Sequence, residues 1–174
     1  MLLRRLPLSN ILLHMNVDRI LDAMNRHEVE YLLIGGVNFL LRHEPVMTYD
    51  IDLWINYDAA NLRRCEKALI SLGAAWGPTD TEWQPVARCA PGWLDSQPLF
   101  CLTSDNGAID IFRQVTGLES WTKCRQRAVV ANTSGGVRYY GLADQDMLKS
   151  QDVLDESARK PERIRILRRA LGLQ

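Results

Sequence analysis

Three aspartates stand in stretches of sequence that are otherwise apolar. Asp50 and Asp52 interrupt T-Y-D-I-D-L-W-I, from Thr48 to Ile55, and Asp110 interrupts A-I-D-I-F, from Ala108 to Phe112. The alternation with Ile51, Leu53 and Ile55 has the period of a strand, so Asp50 and Asp52 project from one face while the apolar residues project from the other. If the strand of Asp110 is a neighbour, three carboxylates meet on that face. Like charges so placed need a cation, and an all-oxygen donor set favours Mg²⁺ or Mn²⁺. Such ions can activate a hydroxyl and stabilise the leaving oxygen of a phosphoryl group.

A second feature lies just upstream. Tyr31-Leu32-Leu33-Ile34 is a short apolar run that fits a buried strand, and Gly35-Gly36 stops it. Val37, Leu40 and Leu41 then recur at helical spacing, so the unit is strand, double glycine, helix. Glycine lets backbone approach a ligand closely. The start of a helix directs free amides and a positive dipole end at that ligand. Phosphate is the natural guest, and a nucleoside triphosphate held there would reach the carboxylates.

Taken together these residues resemble the nucleotidyltransferase superfamily typified by DNA polymerase beta. The resemblance rests on L-I-G-G, a helix, then D-I-D with thirteen residues between Gly36 and Asp50, and the later A-I-D-I-F. It runs from about Tyr31 to about Asp155 and is weakest between Gly77 and Gln97. Thr48, two residues before Asp50, and the late D-M-L-K with Lys149 make it resemble the small bacterial branch that includes AbiEii-type toxins. The resemblance implies transfer of a nucleoside monophosphate from an NTP to a tRNA, protein or small-molecule hydroxyl, with release of pyrophosphate. It further implies that Asp50 and Asp52 bind metal and that Asp110 binds metal and activates the acceptor. Gly35 and Gly36 would hold the β- and γ-phosphates, with Thr48 and Lys149 also at the nucleotide, and an antitoxin would be the partner in the toxin branch. The chain departs from the family pattern at Val46, where many relatives carry Arg, and in the tail R-K-P-E-R-I-R.

The elements that must position these residues are legible to different degrees. Val17, Ile20, Leu21 and Met24 predict a helix capped by Asn16 and ended near His27 and Glu28. Asn61 to Leu72 predicts another, closed by Gly73. Asn-Gly at 106–107, between Leu99–Thr103 and Ala108–Phe112, predicts a hairpin. Thr116 to Arg127 reads as helix, and Ala128–Val130 and Val137–Tyr140 as short strands. Met147, Leu148, Val153 and Leu154 predict one apolar helix face. After Pro161, Ile164, Leu167 and Leu171 predict a final helix with Arg163, Arg165, Arg168 and Arg169 mostly outward. Asn38 and Arg42 read as a surface face. Gly77 to Gln97, with three prolines and two tryptophans, is the least regular stretch, and Trp83 and Trp93 read as packing residues.

The expected fold is α/β (α+β): a mixed β-sheet with flanking helices in a core over 1–142 and a short C-terminal helical tail over 143–174. Lys plus Arg and Asp plus Glu both number 21, so no general nucleic-acid-coating role is indicated. The four cysteines form no C-x-x-C pair, and the three histidines are dispersed, which disfavours a zinc site or a histidine-dependent phosphohydrolase. Met1 to Met15 is leucine-rich but broken by Pro7 and polar residues, and no apolar run approaches the roughly 20 residues of a membrane span. A cytoplasmic protein with reduced thiols and no membrane partner is expected. The rival reading is a non-catalytic nucleotide-binding or partner-binding module.

Overall fold

The computed structural model describes residues 15–79 and 81–173. The leucine-rich start lies, apart from Met15, outside the described residues. The order is α1 (Val17–Arg26), β1 (Tyr31–Ile34), α2 (Gly35–Arg42), β2 (Asp50–Ile55) and α3 (Ala59–Ser71). It continues with β3 (Ala75–Trp76), β4 (Gln84–Pro85), β5 (Leu99–Leu102), β6 (Ala108–Phe112), α4 (Trp121–Arg127), β7 (Val129–Asn132) and β8 (Arg138–Gly141). Two helices close the chain, α5 (Asp144–Asp152) and α6 (Pro161–Ala170).

Six strands form one mixed sheet in the order β5-β6-β2-β1-β8-β7. The β2–β6 and β1–β8 pairs are parallel, and the remaining pairs antiparallel. Alternation along β2 and β6 buries Ile51, Leu53, Ile109 and Ile111 on one face. There they join Ile20, Leu21 and Met24 of α1 and Leu62, Cys65 and Leu69 of α3 in the larger apolar cluster. The opposite face carries Leu32, Ile34 and Trp54, which pack with Phe39, Leu142, Met147, Leu148, Ile166 and Leu167 in a second cluster. Burying each such aliphatic side chain contributes about 1.5–3 kcal/mol. The aspartates lie on this second face, where Asp52 lines a cavity together with residues of α5 and α6.

Several local expectations are corrected. The predicted helix over Thr116–Arg127 begins only at Trp121, because Gly117 takes a positive φ and Ser120 caps the helix by accepting from the Lys123 amide. Val153 falls beyond the end of α5 and is 49% exposed, whereas Leu154 is half-buried. Asn38 and Arg42 are not a surface face. Asn38 is fully buried and donates to the Leu142 carbonyl, and Arg42 donates to that same carbonyl and pairs with Asp144. They bind α2 to the start of α5.

The irregular stretch is ordered by one carboxylate. Glu66 on α3 is 5% exposed. It accepts from the Gly92 and Leu94 amides at 2.9 and 3.2 Å and from Arg63 at 3.1 Å. Trp93 thereby packs edge-on against Phe100 of β5, with centroids 5.0 Å apart. Trp83 is 43% exposed and contributes little packing. Glu66→Ala strands these buried amides, which should cost about 1–3 kcal/mol. In thermal melts Tm should fall by roughly 3–10 °C, and an unchanged Tm would show that the segment is held otherwise.

Candidate active site

Strand register assembles the site. Asp52 of β2 lies opposite Asp110 of β6 in the parallel pair and opposite Ile34 of β1 in the antiparallel pair. Asp50, two residues earlier, shares its face. Asp50, Asp52 and Asp110 each offer one carboxylate oxygen within 4.8 Å of the others, and all three side chains are partly buried.

The same register sets the double glycine against the carboxylates, because Gly35 directly follows Ile34. Gly35 has φ +64°, and a Cβ there would overlap the Asp52 carboxylate. Both conditions require glycine. The Gly36 amide, in the first turn of α2, donates to Asp52. A Cβ on Gly36 would stand 2.7 Å from Thr48 Oγ1. The Thr48 hydroxyl donates to the Asp50 carbonyl at 3.2 Å and approaches its carboxylate at 3.4 Å, fixing Asp50.

The charges are poorly compensated. Burial, then the neighbouring Asp50 and Asp110, push the Asp52 carboxyl up to about 7, against the Gly36 amide and Arg163. Burial and Asp50 raise Asp110 as well, while a hydrogen bond from Cys101 opposes them. Cys101 is the cross-strand partner of Asp110. Burial and the Asp110 charge hold its thiol at about 11, so it remains protonated and donates.

A cavity of about 320 Å³ opens beside Asp52 and Gly35. Phe39, Phe112, Leu142, Met147, Leu154 and Leu167 give it apolar walls. Of the remaining sequence candidates, Lys149 is exposed on α5, whereas its neighbours Met147, Ser150 and Gln151 line the cavity.

Sequence reasoning missed Arg163, which the structure turns inward to the cavity instead of outward. Burial lowers its pKa, and the Asp52 and Asp50 charges raise it. A guanidinium stays protonated at neutral pH under either influence. The signal was its spacing: Arg163 lies three and four residues before the buried Ile166 and Leu167, on the same helix stripe. Arg165 pairs instead with Glu162, and Arg168 and Arg169 are exposed.

No protein-family model matches the chain, and no curated protein matches it. Solved structures do. The solution structure of the antibiotic-resistance factor ANT(2'')-Ia is similar over 96% of this chain and 86% of that one, with a TM-score of 0.55 at 13% identity. The crystal structure of ANT(2'')-Ia in complex with adenylyl-2''-tobramycin is similar over 94% and 90%, with a TM-score of 0.54 at 14% identity. At such identities the likeness is one of fold, and the chain shares the mixed α/β fold of these structures. Among the described residues, no helix is long and apolar enough to cross a membrane.

The raised Asp52 carboxyl makes stability depend on pH. Its folded value of about 7 lies above the ordinary value of 3.8. The folded state therefore holds a proton that the unfolded state releases, and stability falls as pH rises from about 4 to about 7. In metal-free protein, the advantage of Asp52→Asn over wild type should grow between pH 5 and 7 and level off above. With solvent screening it should reach on the order of 1–2 kcal/mol, read as a Tm gain of a few degrees at pH 8. A gain that is equal at pH 5 and pH 8 would refute the charge-repulsion account.

Proposed function

We propose that this protein is a metal-dependent nucleotidyltransferase, moving a nucleoside monophosphate from an NTP to a hydroxyl acceptor with release of pyrophosphate. The observation that carries the reading is the convergence of Asp50, Asp52 and Asp110 beside the glycine turn that opens α2. Neither feature alone implies the reaction. A carboxylate cluster facing a helix start is the pairing that a metal-bound triphosphate needs.

The residues fit a divalent cation. The donor set is all carboxylate oxygen, the hard chemistry that Mg²⁺ and Mn²⁺ prefer. The uncompensated repulsion at Asp52 is the strain that a cation relieves. Asp50, Asp52 and Asp110 would hold it, and when bound it supplies charge neutralisation and Lewis acidity at the reacting phosphoryl group.

The chain's own groups divide the remaining work. The first-turn amides of α2 other than that of Gly36, which Asp52 engages, receive phosphate oxygens, and Gly35 keeps that approach clear of a side chain. Thr48 holds Asp50 in place through its backbone carbonyl and carboxylate. The apolar cavity, about 320 Å³, takes the nucleoside and excludes water from one side of the phosphates. Asp110 accepts the proton of the acceptor hydroxyl, and its raised pKa brings it closer to the working pH of a general base. The hydroxyl oxygen bonds to the α-phosphorus as the bond from that phosphorus to the bridging oxygen breaks. Pyrophosphate leaves with the electron pair of that bond.

The acceptor hydroxyl is carried by a tRNA, a protein or a small molecule. Tobramycin is the first acceptor to assay, because ANT(2'')-Ia was solved with adenylyl-2''-tobramycin.

Calorimetric titration of each NTP, with and without Mg²⁺, tests the reading. Wild type should bind at least one NTP in a metal-dependent manner, and Asp50→Ala/Asp52→Ala should not. With labelled NTP and an acceptor, Asp50→Asn should lower turnover by at least about a hundredfold. Retained turnover in that variant would sink the assignment. NTP binding with no pyrophosphate released under any acceptor would favour a binding module instead.

A further inference from the structure

The cation nearest the glycine turn comes from the last helix. Arg163 lies in the first turn of α6, just after Pro161, and is partly buried. Its Nη2 lies 3.2 Å from the point that a Cβ on Gly36 would occupy, so it overhangs the start of α2. Its guanidinium carbon is 5.6 Å from the centroid of the Phe39 ring, and it lines the cavity with Gly35 and Asp52.

Arg163 feels the charges of Asp52 and Asp50 without pairing with them. Among the described residues no carboxylate oxygen lies within 4.0 Å of its guanidinium. Arg42 is paired with Asp144, and Arg127 with Asp146 and Glu119, whereas Arg125, also partly buried, lies over the Tyr140 ring far from the glycine turn. The Arg163 guanidinium has no hydrogen-bonded partner among the described residues and opens onto the cavity, so its donors are free to meet a ligand there. Its planar fork of donors matches the oxygens of a phosphate. The open space between it, the glycine turn and Asp52 is where such a ligand would sit.

We propose that Arg163 is the phosphate clamp of this site, gripping the β- and γ-phosphates of the bound triphosphate from the side opposite the carboxylates. The docked last helix is thereby part of the substrate site. This inference rests on the nucleotidyl-transfer reading. It also carries a signature that a purely structural arginine lacks. Removing the positive charge weakens polyphosphate binding and, without nucleotide, strengthens binding of a bare divalent cation, because one like charge is gone from beside Asp50 and Asp52. A packing defect would weaken both.

The test is titration of the full chain with Mn²⁺ alone, inorganic tripolyphosphate, Mg·ATP and AMP, on wild type and R163M. R163M should lose about ten- to a hundredfold in affinity for Mg·ATP and tripolyphosphate. Its AMP affinity should change far less, and its Mn²⁺ affinity should hold or rise. R163Q, which keeps a polar side chain, reads the same contrast should R163M melt early. Wild-type affinity for tripolyphosphate and Mg·ATP in either variant overturns the clamp and leaves the nucleotidyl-transfer reading standing. Parallel losses for Mn²⁺, AMP and ATP overturn it too, by marking a structural role. No triphosphate binding by wild type overturns both.

Discussion

The register Ile34–Asp52–Asp110 across β1, β2 and β6 is the constraint on which the site depends. It gathers the carboxylates and, because Gly35 follows Ile34, it also delivers the helix start that faces them. A slip of one residue would turn Asp50 and Asp52 into the cluster that Ile51 and Leu53 now occupy. Ionised carboxylates there would be prohibitively desolvated. The apolar alternation that drives the sheet to form is thus also what keeps its charged residues on the workable face.

That arrangement is costly by itself. The three carboxylates are close, partly buried and served by few donors: the Gly36 amide on Asp52, the Cys101 thiol on Asp110 and the Thr48 hydroxyl on Asp50. The surrounding structure holds a configuration that its own electrostatics disfavour, as sites built for a missing charge generally do. The compensation lies in the packing behind the sheet, where β2 and β6 bury an uninterrupted set of branched aliphatic residues.

Much of this was legible in the sequence, for reasons that can be named. Period-two alternation around Asp50, Asp52 and Asp110 revealed their strands and shared face, and Gly35-Gly36 revealed the turn, since both signals are local. Asn106-Gly107 placed the β5–β6 hairpin. What was not legible depends on tertiary partners. Asn38 and Arg42 have the composition of a surface, yet the Leu142 carbonyl and Asp144, about a hundred residues away, draw them inward. Nothing local marks Glu66 for burial, because the amides of Gly92 and Leu94 that it accepts from come from the irregular stretch beyond its own helix. Arg163 was misplaced because Ile164, Leu167 and Leu171 define an apolar stripe as plausible as the one through Ile166 and Leu167. A rotation of about one residue decides whether that arginine meets water or the carboxylates.

The sheet separates the apolar interior into two clusters, and the division has a consequence for motion. Strands β2 and β6, which carry the three aspartates, are anchored from behind by the larger cluster, which contains no residue of α5 or α6. The last two helices pack into the smaller one. Opening the smaller cluster costs only its own contacts, so α6 can detach in a sub-global fluctuation while the carboxylates keep their positions. Amide hydrogens of α6 would then exchange at a lower free energy than those of β2 and β6, whose exchange tracks global unfolding. The molecule thus has one half, backed by the larger cluster, that holds the acidic cluster, and another, docked in the smaller cluster, that completes the cavity. Ligand that bridges the two halves would slow exchange in α6 and raise the cooperativity of unfolding.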